Sequence, residues 1–542
     1  MIHRLHRSGT GEDTHMARHR RTVLGRRQFL RRGAALGLAA GGGAVAGGSL
    51  LNSALAGSPG AVTPAAGPLS VAADYRTIPS VRLMGTDGWA SFPGRRHAVE
   101  PVLMFGFRSV DDLDLAPDGE LDASIGDLIL AYKGKVHHTA PIITAVEGIE
   151  MAIVLTNLGF FSRPDLDDSH TLHWHGYRNA TSIFDGVPEP SIAVPVGRDM
   201  PYFYHLKDPS QPGQSKGSAG TYMYHCHFED VEHVQMGMTG LVYVEPHDAW
   251  QWDPVTGLPV ARIAKVAYNG TVIDSSYDRE YALLFNEIDT RPHDLLRDIQ
   301  NFVWSDYDPN YWTINGRSYP DTVVPQIVPP GQVTDAAGNT YYAETLTMVD
   351  ADADPTATPD QAAEWEMRWQ NNSALIQGVE GERVLLRIAS LGYDIHSLEI
   401  PGIDMHVIAH DASLLVGASG TNDLTYMAHR LDLGPGEGRD VIVTLPPFDP
   451  ARAEPDPFNA RTGKNRRINR YLLKARNNDR LSNAGTTWGD GPSYAAAAAN
   501  FGGMVTEIWV YEAAPPAGVD GLPPQTTINE NFPTLVLPAN HI

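Results

Sequence analysis

The chain has 542 residues, with 64 Asp and Glu against 41 Lys and Arg, a formal net charge of −23. So acidic a surface repels nucleic acid and anionic lipid and favours cationic or neutral partners. A single cysteine excludes any intrachain disulfide, and beyond the first 56 residues no aliphatic run is long enough to span a bilayer.

The N-terminus has the pattern of an export leader. Arg26-Arg27-Gln-Phe-Leu-Arg31 precedes a soft apolar run from Gly33 to Leu51, and Ala54-Leu55-Ala56 offers small residues for cleavage. The paired arginines resemble a twin-arginine signal, which exports proteins already folded, to the periplasm, the cell surface or the medium. Residues 1–56 hold 9 basic and 2 acidic residues, so their removal takes the formal charge to −30. Residues 57–74, rich in Gly, Pro and Ala, have the composition of a linker.

Many short apolar runs, with 52 Gly and 40 Pro, predict an all-β protein of two domains. The first is expected over 75–248. Within it Ile125–Tyr132 and Met151–Thr156 read as strands, and Phe160–Ser169 as a polar loop. His170-Thr-Leu-His173-Trp-His175-Gly176 follows. His173 and His175 are two apart, so on a strand they share a face.

Thr221 to Pro246 then holds the lone cysteine, in Tyr224-His225-Cys226-His227, with His233 and Met238 downstream. A thiolate, two imidazoles and a weak thioether are the ligands of a blue-copper site. Cys226, His233 and Met238 with His170 supply that set. Cys226 is expected to end a strand, with His233 and Met238 on the loop that follows. On that strand His225 and His227 face one way and Cys226 the other, so one strand can serve two metal centres.

Together with Asp185-Gly-Val-Pro188 and Gly237-Met238-Thr-Gly240, these motifs resemble the multicopper oxidases. The resemblance implies Greek-key cupredoxin domains, β-barrels or sandwiches in form. It implies a type 1 copper at His170, Cys226, His233 and Met238, and a type 2/type 3 copper cluster with His173, His175, His225 and His227. It also assigns Cys226 to electron transfer and Asp185 to proton relay. The implied activity takes single electrons from phenols, aromatic amines or metal ions at type 1 copper and reduces O2 to water at the cluster. The other readings are a type 1 copper carrier and a copper nitrite reductase. Nitrite reductases carry Asp where His173 stands and no His after the Cys, which sides with oxygen.

This chain departs from the pattern in three places. The interval from Cys226 to His233 is two residues longer than in laccases, implying a wider ligand loop. The type 1 set lies in the first domain, a placement that resembles two-domain laccases and copper nitrite reductases. The second domain, expected over 261–512, offers only His396, His406 and His410 in its ligand-like stretch, and Asn500-Phe-Gly-Gly-Met-Val-Thr stands where a His-Cys-His strand would come. It reads as copper-free, with a surface or packing role as the default for each of the three histidines. The family's cluster takes eight histidines and the first domain supplies four, which predicts a homo-oligomer with a site shared between chains. Residues 513–542 read as a C-terminal arm.

Overall fold

The computed structural model describes residues 80–512 apart from 94–100, 110–124, 180, 210–215, 256, 271, 325–326, 329–345, 348–355, 357–365, 371, 458, 460–464 and 484–500. The leader, the linker and the C-terminal arm lie outside the described residues.

The first group of sheets is built from β1 (Ser80–Ala90), β2 (Val102–Ser109), β3 (Ile143–Val146), β4 (Glu150–Asn157), β5 (His173–His175), β6 (Arg198–His205), β7 (Gly220–His225) and β8 (Thr239–Glu245). One sheet runs β2-β1-β4-β6, with β1 parallel to β4; the other runs β3-β8-β7-β5, with β3 parallel to β8. Alternate residues of both sheets, among them Leu83, Phe105, Leu155, Trp174, Tyr202, Tyr224 and Val242, meet in one buried core. Two apolar faces closed on each other are how half-buried antiparallel strands leave water.

Ile125–Tyr132 is a helix, α1, and not the strand expected. Of its large apolar residues, those at 125, 128, 129 and 132 share one helical face and only Leu130 falls outside it, a spacing that fits a helix better than the alternation of a strand. Leu128 and Tyr132 are buried, while Leu130, which a strand would have paired with them on one face, is 86% exposed. The strand expected at Met151–Thr156 lies within β4.

A second group of sheets has its own buried core. Arg279–Ile288, Arg383–Ser390, Gly438–Thr444 and Met405–His410 are neighbours in one sheet. Ile376–Val379, Val505–Tyr511, Arg467–Ala475 and His396–Glu399 are neighbours in the other. The two groups meet at β7 and β8. Met223, Leu241 and Tyr243 pack with Leu284, Ala389 and Leu391. Beside them the fully buried Arg387 pairs with Glu280 at 2.9 Å, and Thr221 Oγ1 donates to Asp440 at 2.5 Å. Buried charges are tolerated there because each is paired.

Candidate metal centre

β7 ends at His225, and Cys226 follows it with its N–H donating to the Met238 carbonyl at 3.1 Å. Tyr224 and Cys226 point into the core; His225 and His227 point away from it. The alternation expected of the strand therefore persists two residues past its end.

His233 is not on an open loop. It sits in α2 (Asp230–Met236), a short helix closed by Gly237 at φ 113°, whose N–H donates back to Val234 at 3.1 Å. The Met238 N–H then donates to the His233 carbonyl at 2.9 Å. The two extra residues between Cys226 and His233 are accommodated in this helix, which fixes the imidazole more tightly than a wider loop would.

His170 is held by a two-way backbone bridge to Val194, with distances of 3.0 and 2.7 Å. One ligand atom each from His170, Cys226 and His233 lie within 4.8 Å of one another, and all three residues are buried. Cys226 Sγ is 3.3 Å from His233 Nδ1, and the Thr171 N–H points at the sulfur from 3.4 Å. Met238 is fully buried beside them.

The residues fit a soft cation. Both ring nitrogens of His170 are buried with no hydrogen-bond partner, a costly arrangement for a purely structural histidine. Burial, reinforced by His233, holds His170 well below the usual histidine range, so its lone pair is free. Burial opposes charge at His233 too. There the Cys226 thiolate and the Asp168 carboxylate prevail and push it up to about 10. The pocket between sulfur and imidazole thus favours a positive charge, and His170, His233 and Cys226, with the Met238 thioether as a weak further donor, would suit copper. Replacing Met238 by Leu should leave copper bound and raise its potential, because a donor to the oxidised ion is lost; each tenfold change in relative affinity is worth about 59 mV. Redox titration of the blue absorption checks this. A shift with Met236→Leu and none with Met238→Leu would move the axial role to Met236, which is equally buried.

Sequence reasoning missed three residues here. Asp168 lies 3.7 Å from His233 Nε2 and orients the ring. Thr171 accepts the His227 N–H at 3.0 Å, tying the two histidine segments together. Gly85 on β1 leaves room for His170: a Cβ there would come within 2.6 Å of Cδ2. Asp168 fell within the polar loop read over Phe160–Ser169 and Thr171 within the histidine motif, with no role assigned to either.

The other four histidines gather on the opposite side of the Cys226 strand. β5 pairs with β7 so that His173 stands directly across from His225. Ring centroids of His173 lie 5.6 Å from His175, 5.2 Å from His225 and 5.3 Å from His227. Nitrogen atoms of His173, His175 and His225 are within 4.8 Å of one another. His173 Nδ1 donates to the Asp185 carbonyl at 2.5 Å, and His225 Nδ1 donates to the Cys226 carbonyl at 2.9 Å. Each bond sets the tautomer and leaves Nε2 with its lone pair. Burial keeps all three rings below the usual histidine range, His225 at about 3, so they stay neutral and able to ligate.

Asp185 meets His173 chiefly through its backbone; its carboxylate is 3.9 Å from the same nitrogen. Gly186, at φ 80°, lets that turn press against β5, since a Cβ would fall 2.3 Å from the Leu172 carbonyl oxygen. Asp185 also lines an open cavity of about 440 Å³ with Gly176, Tyr177, Arg178, Asn179, Thr181 and Ser182.

His396, His406 and His410 are not drawn into this cluster. His396 is buried between Glu287, 2.9 Å from Nε2, and Arg480, 2.6 Å from Nδ1. His406 Nε2 meets Thr425 Oγ1 at 2.8 Å and His410 Nε2 the Tyr426 hydroxyl at 2.9 Å.

Residues 131–249 match the family model described as multicopper oxidase. Laccase-4 of Thanatephorus cucumeris is 29% identical over 140 residues, 26% of this chain; the chain spans about a quarter of that relative's length, 23%. The crystal structure of a blue copper oxidase from Nitrosomonas europaea is 18% identical and aligns over 79% of this chain and 85% of its own, with a TM-score of 0.45. The matched segment from 131 to 249, which contains every residue of both histidine sets and Cys226, is thus similar to a multicopper oxidase domain.

Proposed function

We propose that this protein is an exported copper oxidase that takes single electrons from a small reducing donor at the His170–Cys226–His233–Met238 site and delivers them to O2 at the histidines around His173. One observation carries this reading: the Cys226 carbonyl accepts the His225 Nδ1–H at 2.9 Å, so the thiolate residue of one site is hydrogen-bonded to a ligand of the other. Copper in these sites would supply one-electron redox chemistry. The protein's part is to hold the thiolate in a dry core, to fix each imidazole by its second nitrogen, and to separate donor from oxidant.

Donors would approach His233. Asp168, Glu229 and Glu232 offer carboxylates within 4.8 Å of its nitrogen and of one another, which favours cationic or hydrogen-bond-donating reductants such as metal ions, phenols and aromatic amines. On the other side, Asp185 lines the open cavity and its carboxylate lies 3.9 Å from His173 Nδ1, which supports a role in passing protons to reduced oxygen. The Asp185→Asn variant should keep its copper, because the bond to His173 comes from the backbone carbonyl. Its O2 turnover should fall at least about tenfold. Copper content measured beside the pH–rate profile checks this; unchanged turnover would remove Asp185 from the proton path.

The Arg26-Arg27 leader supports export by the twin-arginine route, which suits a protein loaded with metal before crossing. No helix among the described residues is long and apolar enough to cross a membrane. The deciding experiment is oxygen consumption with a phenol or ferrous donor. Uptake that requires copper supports the oxidase. Blue absorption without uptake would mean an electron carrier, and turnover with nitrite alone a reductase.

A further inference from the structure

We infer that His173, His175 and His225 hold a single copper ion, so that each chain carries two separate copper centres and not a three-copper cluster. This rests on the copper oxidase reading and narrows it.

The geometry is that of one coordination shell. Imidazole nitrogens on one ion at about 2 Å can be no more than about 4 Å apart. The three here lie within 4.8 Å of one another, near that limit. Two of the rings are already set with Nε2 as the free donor, by the Asp185 and Cys226 carbonyls. Three protein ligands, with a fourth position left to water or substrate, are the usual provision for one catalytic ion.

A three-copper cluster is not provided for in the same way. His227 adds a fourth ring, 5.3 Å from His173 and 5.4 Å from His225. Four imidazoles over three ions would leave each with little more than about one protein ligand, where catalytic sites keep about three. Among the described residues, the chain's second group of sheets supplies none of the rest. What it sets against His175 is the turn at Gly436, where a Cβ would lie 2.9 Å from Nε2, together with the charge of Asp411. His396 has both nitrogens engaged, and His406 and His410 each hold a hydroxyl.

Copper analysis of the holoprotein, with electron paramagnetic resonance at a concentration where sedimentation shows monomer, tests this. The expected result is about two coppers per chain, every copper visible as a spin, and two signals: one with the narrow splitting of a thiolate site, one with the wide splitting of a nitrogen site. His175→Gln should reduce copper to about one per chain, delete the wide signal and keep the blue absorption, which also shows that the variant is folded. If that variant fails to fold, the wild-type copper and spin counts decide. Spin-silent copper or about four ions per chain would overturn the inference in favour of a cluster. About two and a half per chain, found only in a dimer, would overturn it in favour of a cluster shared between copies. About one per chain would overturn it in favour of an empty histidine face. A wild type with no Cys226-dependent blue absorption would instead bring down the oxidase reading itself.

Discussion

Cys226→Ser should abolish both the blue colour and all oxygen uptake while the protein remains folded. Cys226 Sγ is fully buried, 3.3 Å from His233 Nδ1 and 3.4 Å from the Thr171 N–H. The thiolate is the only soft anionic ligand available, since the chain has no other cysteine. A serine hydroxyl stays protonated near neutral pH and is a hard donor, so copper would lose the bond that gives it colour. It would also lose the electron path, because the hydrogen bond from His225 to the Cys226 carbonyl would then lead from a site that no longer exchanges electrons. The fold should bear the change. The core around Cys226 is built from Leu155, Trp174, Tyr202 and Tyr224, and the Thr171 N–H can still be accepted by the new oxygen. Burying a hydroxyl there costs on the order of 1–2 kcal/mol. Absorption, O2 uptake and circular dichroism on the same sample make the check. A variant that stays blue would show that the thiolate is not the ligand.

Gly85→Ala is the second variant with a large expected effect, although position 85 bonds to nothing in the site. Gly85 sits in the middle of β1, paired with Phe107 on one side and Asn157 on the other, and its carbonyl accepts the Leu158 N–H at 2.9 Å. With neighbours on both sides this backbone cannot retreat. The added methyl would stand 2.6 Å from His170 Cδ2, so the imidazole must turn. Overpacking of this kind costs about 1–3 kcal/mol. Misplacing one ligand should weaken copper binding about 10- to 100-fold, as losing an outer support of a metal ligand does. Copper titration followed by the blue absorption measures this directly. Wild-type affinity with an unchanged melting temperature would mean that His170 has a second seat in the pocket. Gly88→Ala is the internal control: its methyl would meet Val136 rather than a histidine, so it should lower stability and leave copper affinity intact.

The contrast between these variants marks where sequence stops being informative. Cys226, His233, Met238 and the spaced histidines could be named in advance because metal chemistry admits few side chains, and because the period of a strand dictates which of them share a face. The spacing of His173 and His175, and of His225 with His227 around Cys226, needed no structure to be read as one strand pair serving two sites. The apolar runs of β7 and β8 gave the all-β framework in the same way.

Other features depended on contacts between residues far apart in the chain. Ile125–Tyr132 is apolar enough for either a strand or a helix, and burial of Leu128 and Tyr132 against the first group of sheets settled it as α1. The stretch around His233 carries no helical run longer than seven residues, and it coils only because Gly237 and the backbone bonds from Met238 and Cys226 close its end. Gly85, Thr171 and Asp168 support the ligands from β1 and from the loop before β5, at positions that no motif distinguishes. The sequence by itself determined which atoms can bind copper, because that follows from the chemistry of each side chain. Only the tertiary structure decided how closely they approach and what stands against them, because those distances are set by packing between strands that the chain order keeps apart.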